Sequence, residues 1–306
     1  MTIVYWEDAR ATLSCIGGWH RLLIQLGDLC MPVIRGDDIR EAKRSGKVGV
    51  IFGFQNCSPI EGDLELVQVF HELGVRIMQL TYNNQSLIGA GRYEKMDAGT
   101  SRFGREVIRE MNRVGMIVDL SRSAEHTSLQ AIELSERPVA NTHANPASFH
   151  AALRNKFDDL LRALALSGSM LGFSLYPFHL RDSGQCTLES FCRIVVDTAE
   201  LMSIDHIGLG SNMCRGWGYE TLEWMRSGRW TFGPDYGEGS ADKPTRPEQP
   251  PWFRTPADMP NITRGLLDRG LDTQEVGKIL GGNWLRFFSE GFESNAARTT
   301  GGGSEK

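Results

Sequence analysis

The sequence lacks paired cysteines. Its six cysteines, Cys15, Cys30, Cys57, Cys186, Cys192 and Cys214, are scattered over 306 residues with no Cys-x-x-Cys spacing. That excludes a disulfide scaffold and a zinc ribbon, and the simplest expectation is a reduced, cytoplasmic protein. It also lacks long apolar runs: the longest, such as Val48–Phe54, are strand-length and too short to span a membrane. No basic region followed by an apolar one comes after Met1, so no signal peptide is expected. Basic charge is not in excess either. Thirty-three Lys+Arg stand against 38 Asp+Glu, a net charge of −5. With no basic run to neutralise phosphates, nucleic acid is not an expected partner. No Gly-x-Gly-x-x-Gly opens a helix, which argues against a dinucleotide-binding sheet. What remains is ordinary globular composition, 41% hydrophobic and 23% charged.

Short β-rich runs alternate with amphipathic stretches. Strands are expected near Thr2–Trp6, Gly49–Phe54, Arg76–Thr81, Met116–Leu120, Val139–Thr142, Met170–Leu175 and His206–Gly210. Between them, Leu64–Leu73, Phe103–Val114 and Leu188–Met202 carry apolar residues at helical spacing, the last after Thr187 as N-cap. A further helical region, Gln274–Phe288, is interrupted at Gly281-Gly282. Alternating β and α elements with nearly continuous apolar strands predict a parallel sheet covered by helices. One α/β domain over residues 1–292 follows, with a tail from 293 to 306 expected to be disordered. Seven of the 12 prolines fall between Ser227 and Pro260, interleaved with Trp230, Phe232, Tyr236, Trp252 and Phe253. A loop this long is either a lid or oligomer contact, or a loop packed on its own domain.

Polar residues follow the strands directly: Gln55-Asn56, Tyr82-Asn83-Asn84, Ser121-Arg122, His143 and Ser211-Asn212. In a (β/α)8 barrel the carboxyl ends of the strands build the site. His143 is placed to act as a metal ligand or general base, or to serve structurally. Arg122 ends a core strand and is expected to point into the mouth. Arg154, 11 residues after His143, reads either as a clamp for a carboxylate or as a solvated, helix-capping arginine. Cys57 and Cys214, each just past a strand, offer with His143 a weaker thiolate or single-metal reading. His179 lies within reach of the mouth. His206 reads as structural, and His20, His71 and His126 as ordinary helix residues.

Several segments resemble the renal (membrane) dipeptidase family: Phe-Gly-Phe-Gln-Asn-Cys-Ser-Pro-Ile-Glu-Gly-Asp, Leu-Gly-Val-Arg-Ile-Met-Gln-Leu-Thr-Tyr-Asn-Asn, Phe-Gly-Arg-Glu-Val-Ile-Arg-Glu-Met-Asn-Arg-Val-Gly-Met-Ile-Val-Asp-Leu-Ser, Asp-His-Ile-Gly-Leu-Gly-Ser and Leu-Gly-Gly-Asn-Trp-Leu-Arg-Phe-Phe. They run in order from about Val48 to Phe288. The resemblance implies a (β/α)8 TIM-type barrel of the amidohydrolase kind, with two hydroxide-bridged zinc ions, cleaving dipeptides. It also implies roles for residues. His143 is the retained zinc histidine and Arg154 the retained arginine for the substrate carboxylate. Gln55 stands at the bridging glutamate, Arg122 at the second zinc histidine, Tyr82 at the substrate-side histidine and Asn212 at the catalytic aspartate. The family's Asp-x-His-x-Asp on the first strand has no counterpart, so the expected barrel is short of its first strand. The two edges thereby left unpaired predict association into oligomers.

These replacements run in one direction: carboxylates become amides and a histidine becomes a cation. A guanidinium about 4 Å from a dication would repel it by several kcal/mol at an effective dielectric near 20. Zinc needs three or four protein ligands. The sequence therefore leaves three readings open: a family hydrolase acting on a dipeptide or small amino-acid-derived amide with a free carboxylate, a tailoring enzyme of small-molecule metabolism with no zinc or one, and a non-catalytic binding or scaffold relative.

Overall fold

The computed structural model describes residues 7–213, 216, 220 and 248–293. The chain divides into two compact units, one of residues 1–139 and 285–306, the other of residues 140–284. The strand expected at Thr2–Trp6, the loop residues 221–247, Cys214 and the tail beyond Glu293 lie outside the described residues.

The first unit opens with helix α1 (Ala9–Gln25), started by the Asp8 carboxylate, which accepts from the Ala11 amide. Strand β1 (Cys30–Pro32), helix α2 (Gly36–Arg44) and strand β2 (Val48–Val50) follow, with β1 and β2 paired in parallel. The run Gly49–Phe54, read from sequence as one strand, is thus two, because a second strand, β3 (Phe52–Phe54), begins only after Ile51. The unit continues through α3 (Glu65–Glu72), β4 (Val75–Gln79), α4 (Arg102–Val114), β5 (Ile117–Asp119) and α5 (Glu125–Leu134). Strands β3, β4 and β5 are parallel neighbours, with Phe54 opposite Met78 and Gln79 opposite Asp119. The apolar stripe of α4 buries Val107, Ile108, Met111 and Val114. With Phe54, Phe70 and Met78 they form the core under the strands, each such side chain contributing roughly 1.5–3 kcal/mol by leaving water.

The second unit holds β6 (Ala140–Ala144), α6 (Asp158–Leu166), β7 (Met170–Phe173), α7 (Leu188–Met202) and β8 (Ile207–Leu209), then α8 (Met259–Leu267), α9 (Thr273–Gly277) and the start of α10 (Asn283–Gly291). Strands β6, β7 and β8 are again parallel neighbours. Thr187 caps α7 as its sequence predicts, accepting from the Ser190 amide. The helical run interrupted at Gly281-Gly282 does break there, where Gly281 leaves helical geometry. Beyond the break, the Asn283 amide donates to the carbonyls of Ile204 (2.7 Å) and Ile207 (2.8 Å), and the Trp284 indole to Leu209 (3.0 Å). Those bonds tie the end of the chain's helical run to β8. Gly172 in β7 allows a close approach, because a Cβ there would lie 2.1 Å from the Thr142 carbonyl oxygen.

The described end of the proline-rich loop is packed on its own unit. The Trp252 indole donates to the Cys186 carbonyl (2.7 Å), its ring lies 5.3 Å from that of Phe191, and Phe253 is buried. No helix among the described residues is long and apolar enough to cross a membrane.

Candidate functional site

In the first unit, Gln55, Tyr82 and Arg122 all lie just beyond the carboxyl ends of parallel strands. The register explains the placing. Gln79 faces Asp119 across β4 and β5, so Tyr82 and Arg122, three residues further on each strand, leave the sheet at the same level. The Arg122 guanidinium lies over the Tyr82 ring, 4.2 Å from its centroid, and Nη1 donates to Asn83 Oδ1 (3.1 Å). The Arg122 carbonyl accepts from the Arg92 amide, which fixes the backbone at that point. Tyr82 is 2% exposed and its hydroxyl makes no hydrogen bond among the described residues; the same holds for Gln55 Oε1. Beneath them, the buried Asp119 carboxylate accepts from the Ser121 amide (2.9 Å), the Ser121 hydroxyl (2.5 Å) and Gln79 Nε2 (3.0 Å). This network locks the turn from which Arg122 projects.

Cys57 is held there too, its thiol donating to the Gln79 carbonyl (3.1 Å). Burial pushes that thiol far above the usual cysteine range. A thiolate at Cys57 is therefore disfavoured, and the weaker nucleophile reading loses its described cysteine.

In the second unit, His143 is the fourth residue of β6 and is 7% exposed. Its Nδ1 is hydrogen-bonded to the Thr142 hydroxyl at 2.8 Å, which orients the ring. Asn141, two residues earlier and therefore on the same strand face, is fully buried, with neither amide atom hydrogen-bonded among the described residues. Arg154 sits in the loop between β6 and α6 and is 3% exposed, so the solvated reading of this arginine is excluded. The loop is pinned by amides. Asn145 Nδ2 donates to the carbonyls of Ser174 and His179, both at 3.0 Å. Asn155 Nδ2 donates to those of His150 (2.8 Å) and His179 (3.0 Å), and Asn155 Oδ1 accepts from the Asn145 backbone. His179 is buried in a short helical turn, its Nδ1 2.8 Å from the Ser174 hydroxyl. Its contribution to this loop is through its carbonyl. Asn212 follows β8, half-buried, with φ at 48°, a left-handed backbone that asparagine tolerates better than most residues. His206 bonds the Ser169 carbonyl through Nδ1 (3.0 Å), in keeping with a structural role.

The sequence reading missed the two asparagine clamps, Asn145 and Asn155. The Asn-Pro after His143, a turn-forming pair, was the available signal.

A family model for the membrane dipeptidases, peptidase family M19, matches residues 4–224. The chain belongs to that family. It is similar to the dipeptidase tcpJ of Claviceps purpurea, 27% identical over 290 residues, and to the dipeptidase aclJ of Aspergillus oryzae, 26% identical over 293 residues. Each match covers 94% of this chain but 61% and 62% of the relative, so the chain spans about six-tenths of the curated relatives' length. Among solved structures, an amidohydrolase from Pseudomonas aeruginosa is 33% identical, with a TM-score of 0.85 over 95% of this chain and 87% of that one. A metallopeptidase from Rhodobacter sphaeroides, liganded with a phosphinate mimic of the dipeptide L-Ala-D-Ala, shares the fold at a TM-score of 0.76 and 20% identity, over 92% and 74% of the two chains. The fold class expected from sequence, α/β of the TIM-barrel type, agrees with these neighbours.

The donor set does not suit the zinc pair that the family resemblance implies. Among the described residues no three His, Cys, Asp or Glu side chains come together as a metal site. Where zinc ligands are expected, the chain offers an amide at Gln55 and a guanidinium at Arg122; only His143 is a zinc ligand by type.

Proposed function

We propose that this membrane dipeptidase relative is a hydrolase of dipeptides or small amino-acid-derived amides, whose free carboxylate is bound by Arg154. The observation that supports this most is a fully folded-in arginine at the family's carboxylate position. Its loop is fixed by two buried asparagines. A guanidinium already held in place can form two parallel bonds to a carboxylate without first losing side-chain freedom. His143, oriented by Thr142, is the residue placed to accept or hand on a proton. Asn212 stands where the family has an aspartate; an amide orients a substrate but cannot act as a base. Localisation in the cytoplasm and assembly into homo-oligomers belong to the same proposal.

The test is release of free amino acids from a dipeptide panel, followed by NMR. Arg154→Met should lower kcat/KM at least about tenfold for free acids, or roughly 1.4 kcal/mol, and leave the C-terminal amides nearly unaffected. Equal loss for acids and amides would refute the carboxylate role. A second reading, a binding relative without hydrolysis, is favoured by Arg122 at a ligand position. Tight dipeptide binding with no product released, whether zinc is added or chelated, would select it.

A further inference from the structure

Buried arginines normally find acceptors, and those of the first unit show how. Arg76 donates to the carbonyls of Ile34 (2.8 Å), His71 (2.7 Å) and Val75 (2.9 Å). Arg137 donates to those of Asn112 (3.2 Å) and Glu290 (2.8 Å). Arg122 is different. It is 6% exposed, yet its one hydrogen bond among the described residues is to the neutral Asn83 amide, and its Nε is buried with no acceptor. No carboxylate pairs with it among the described residues. The Tyr82 face stabilises the cation from one side, but it leaves the Nε edge of the guanidinium without an acceptor among the described residues. The adjacent Tyr82 hydroxyl is a second buried donor with no partner among the described residues. A buried cation without a counter-ion is costly, and the fork is held by Asn83 and Tyr82 with donors left over.

We propose that Arg122 and Tyr82 form an oxyanion-binding site, which takes a carboxylate or phosphate group of a small molecule without any metal. The guanidinium supplies the charge and a planar pair of N–H donors, and the tyrosine supplies a hydroxyl. Asn83 and the aromatic face hold the guanidinium so that binding does not have to order it. The site stands on these contacts and does not depend on the hydrolase reading or on Arg154.

Calorimetry on the full chain in the presence of a chelator, with inorganic phosphate and with acetate at constant ionic strength, tests it. Wild type should bind at least one of the two saturably, and chloride at the same concentration should not replace it. Stronger phosphate binding identifies a phosphorylated ligand, and stronger acetate binding a carboxylate. Arg122→Met should weaken the bound anion at least about tenfold and Tyr82→Phe several-fold, both measured in the Arg154→Met background so that a carboxylate held at Arg154 does not contribute. Arg122→Lys keeps a charge but loses the fork, and should also bind more weakly. It serves if the methionine variant fails to fold. Absence of binding in wild type, binding that requires added zinc, or equal affinity in the Arg122 variants would overturn the proposal.

Discussion

A single change at Asn145 should be felt across the second unit. Its side chain is fully buried and makes three hydrogen bonds: Nδ2 to the carbonyls of Ser174 and His179, and Oδ1 from the Ser174 amide, each at 3.0 Å. Asn145→Ala deletes all three, at a net value of about 1 kcal/mol each. Two of the abandoned groups keep a partner. The His179 carbonyl still accepts from Asn155 (3.0 Å), and the Ser174 amide still reaches the Ala144 carbonyl (3.3 Å). Only the Ser174 carbonyl is left without another bond among the described residues, so the orphan penalty applies about once rather than three times. The expected loss is ~3 kcal/mol, which lowers the melting temperature by roughly 6–12 °C for a chain of this size. Asn145→Asp is the sharper comparison. It preserves shape but turns a carboxylate oxygen toward two carbonyl oxygens, so it should be worse than alanine at neutral pH. Thermal melts and urea titrations of the three proteins decide. A loss under about 1 kcal/mol for alanine, or an aspartate variant more stable than alanine, would refute the clamp. The same alanine variant should raise KM for free-acid dipeptides more than it lowers kcat, because the Arg154 loop hangs on the clamp.

Three further outcomes are expected. Burial first, and then the nearby Arg76 charge, lower the His71 pKa to about 4 from 6.5. The unfolded chain thus binds more protons between those values, and stability should fall as pH drops from about 6.5 to 4. His71→Gln should flatten that part of the melting-temperature profile, and an unchanged profile would contradict it. Burial likewise raises the thiols of Cys186, to about 11, and Cys192, to about 12, and pushes Cys57 higher still. Iodoacetamide at pH 8 should label half-buried Cys30 in the native protein well before any of these three, as peptide mass mapping would show. Gly172→Ala places a Cβ against the Thr142 carbonyl and should cost about 1–3 kcal/mol or more; a variant with wild-type urea stability would show that β6 can shift aside.

The helices were legible where caps and stripes agreed. Thr187 before α7 and the spacing of Val107, Met111 and Val114 in α4 marked both elements. The strands were legible as apolar runs, but their ends were not. Strand β5 ends at Asp119 although the apolar pattern runs on through Leu120; there the Asp119 carboxylate accepts from the Ser121 amide. Strand β1 was missed because Cys30-Met31-Pro32 is too short to show a period, and its parallel partner lies 18 residues away. At the site, residue types were legible and their partnerships were not. Arg154 carried two equal readings in sequence; burial alone separates them, and burial comes from a loop whose clamps are 29 and 34 residues distant in the chain. Arg122 was expected in the mouth, but its stacking on Tyr82 follows from the register of β4 with β5, which no local pattern encodes.

That stacking also bears on whether a metal pair could be accommodated at these residues. Gln55→Glu alone would add one carboxylate while the guanidinium remained as a fixed positive charge, so a dication would still meet a cation at the position where the resemblance implies a ligand. Arg122→His alone would remove the cation but leave a neutral amide at Gln55, too weak a donor to offset a zinc pair. Neither change on its own creates three ligands of the right kind, and their effects must be non-additive because each removes an obstacle that hides the other. The present set is instead consistent within itself: a buried guanidinium, a phenol and amides are neutral or positive partners suited to an anion. A set of this kind favours an anion, so the proposed anion site and a zinc pair at the same residues exclude each other.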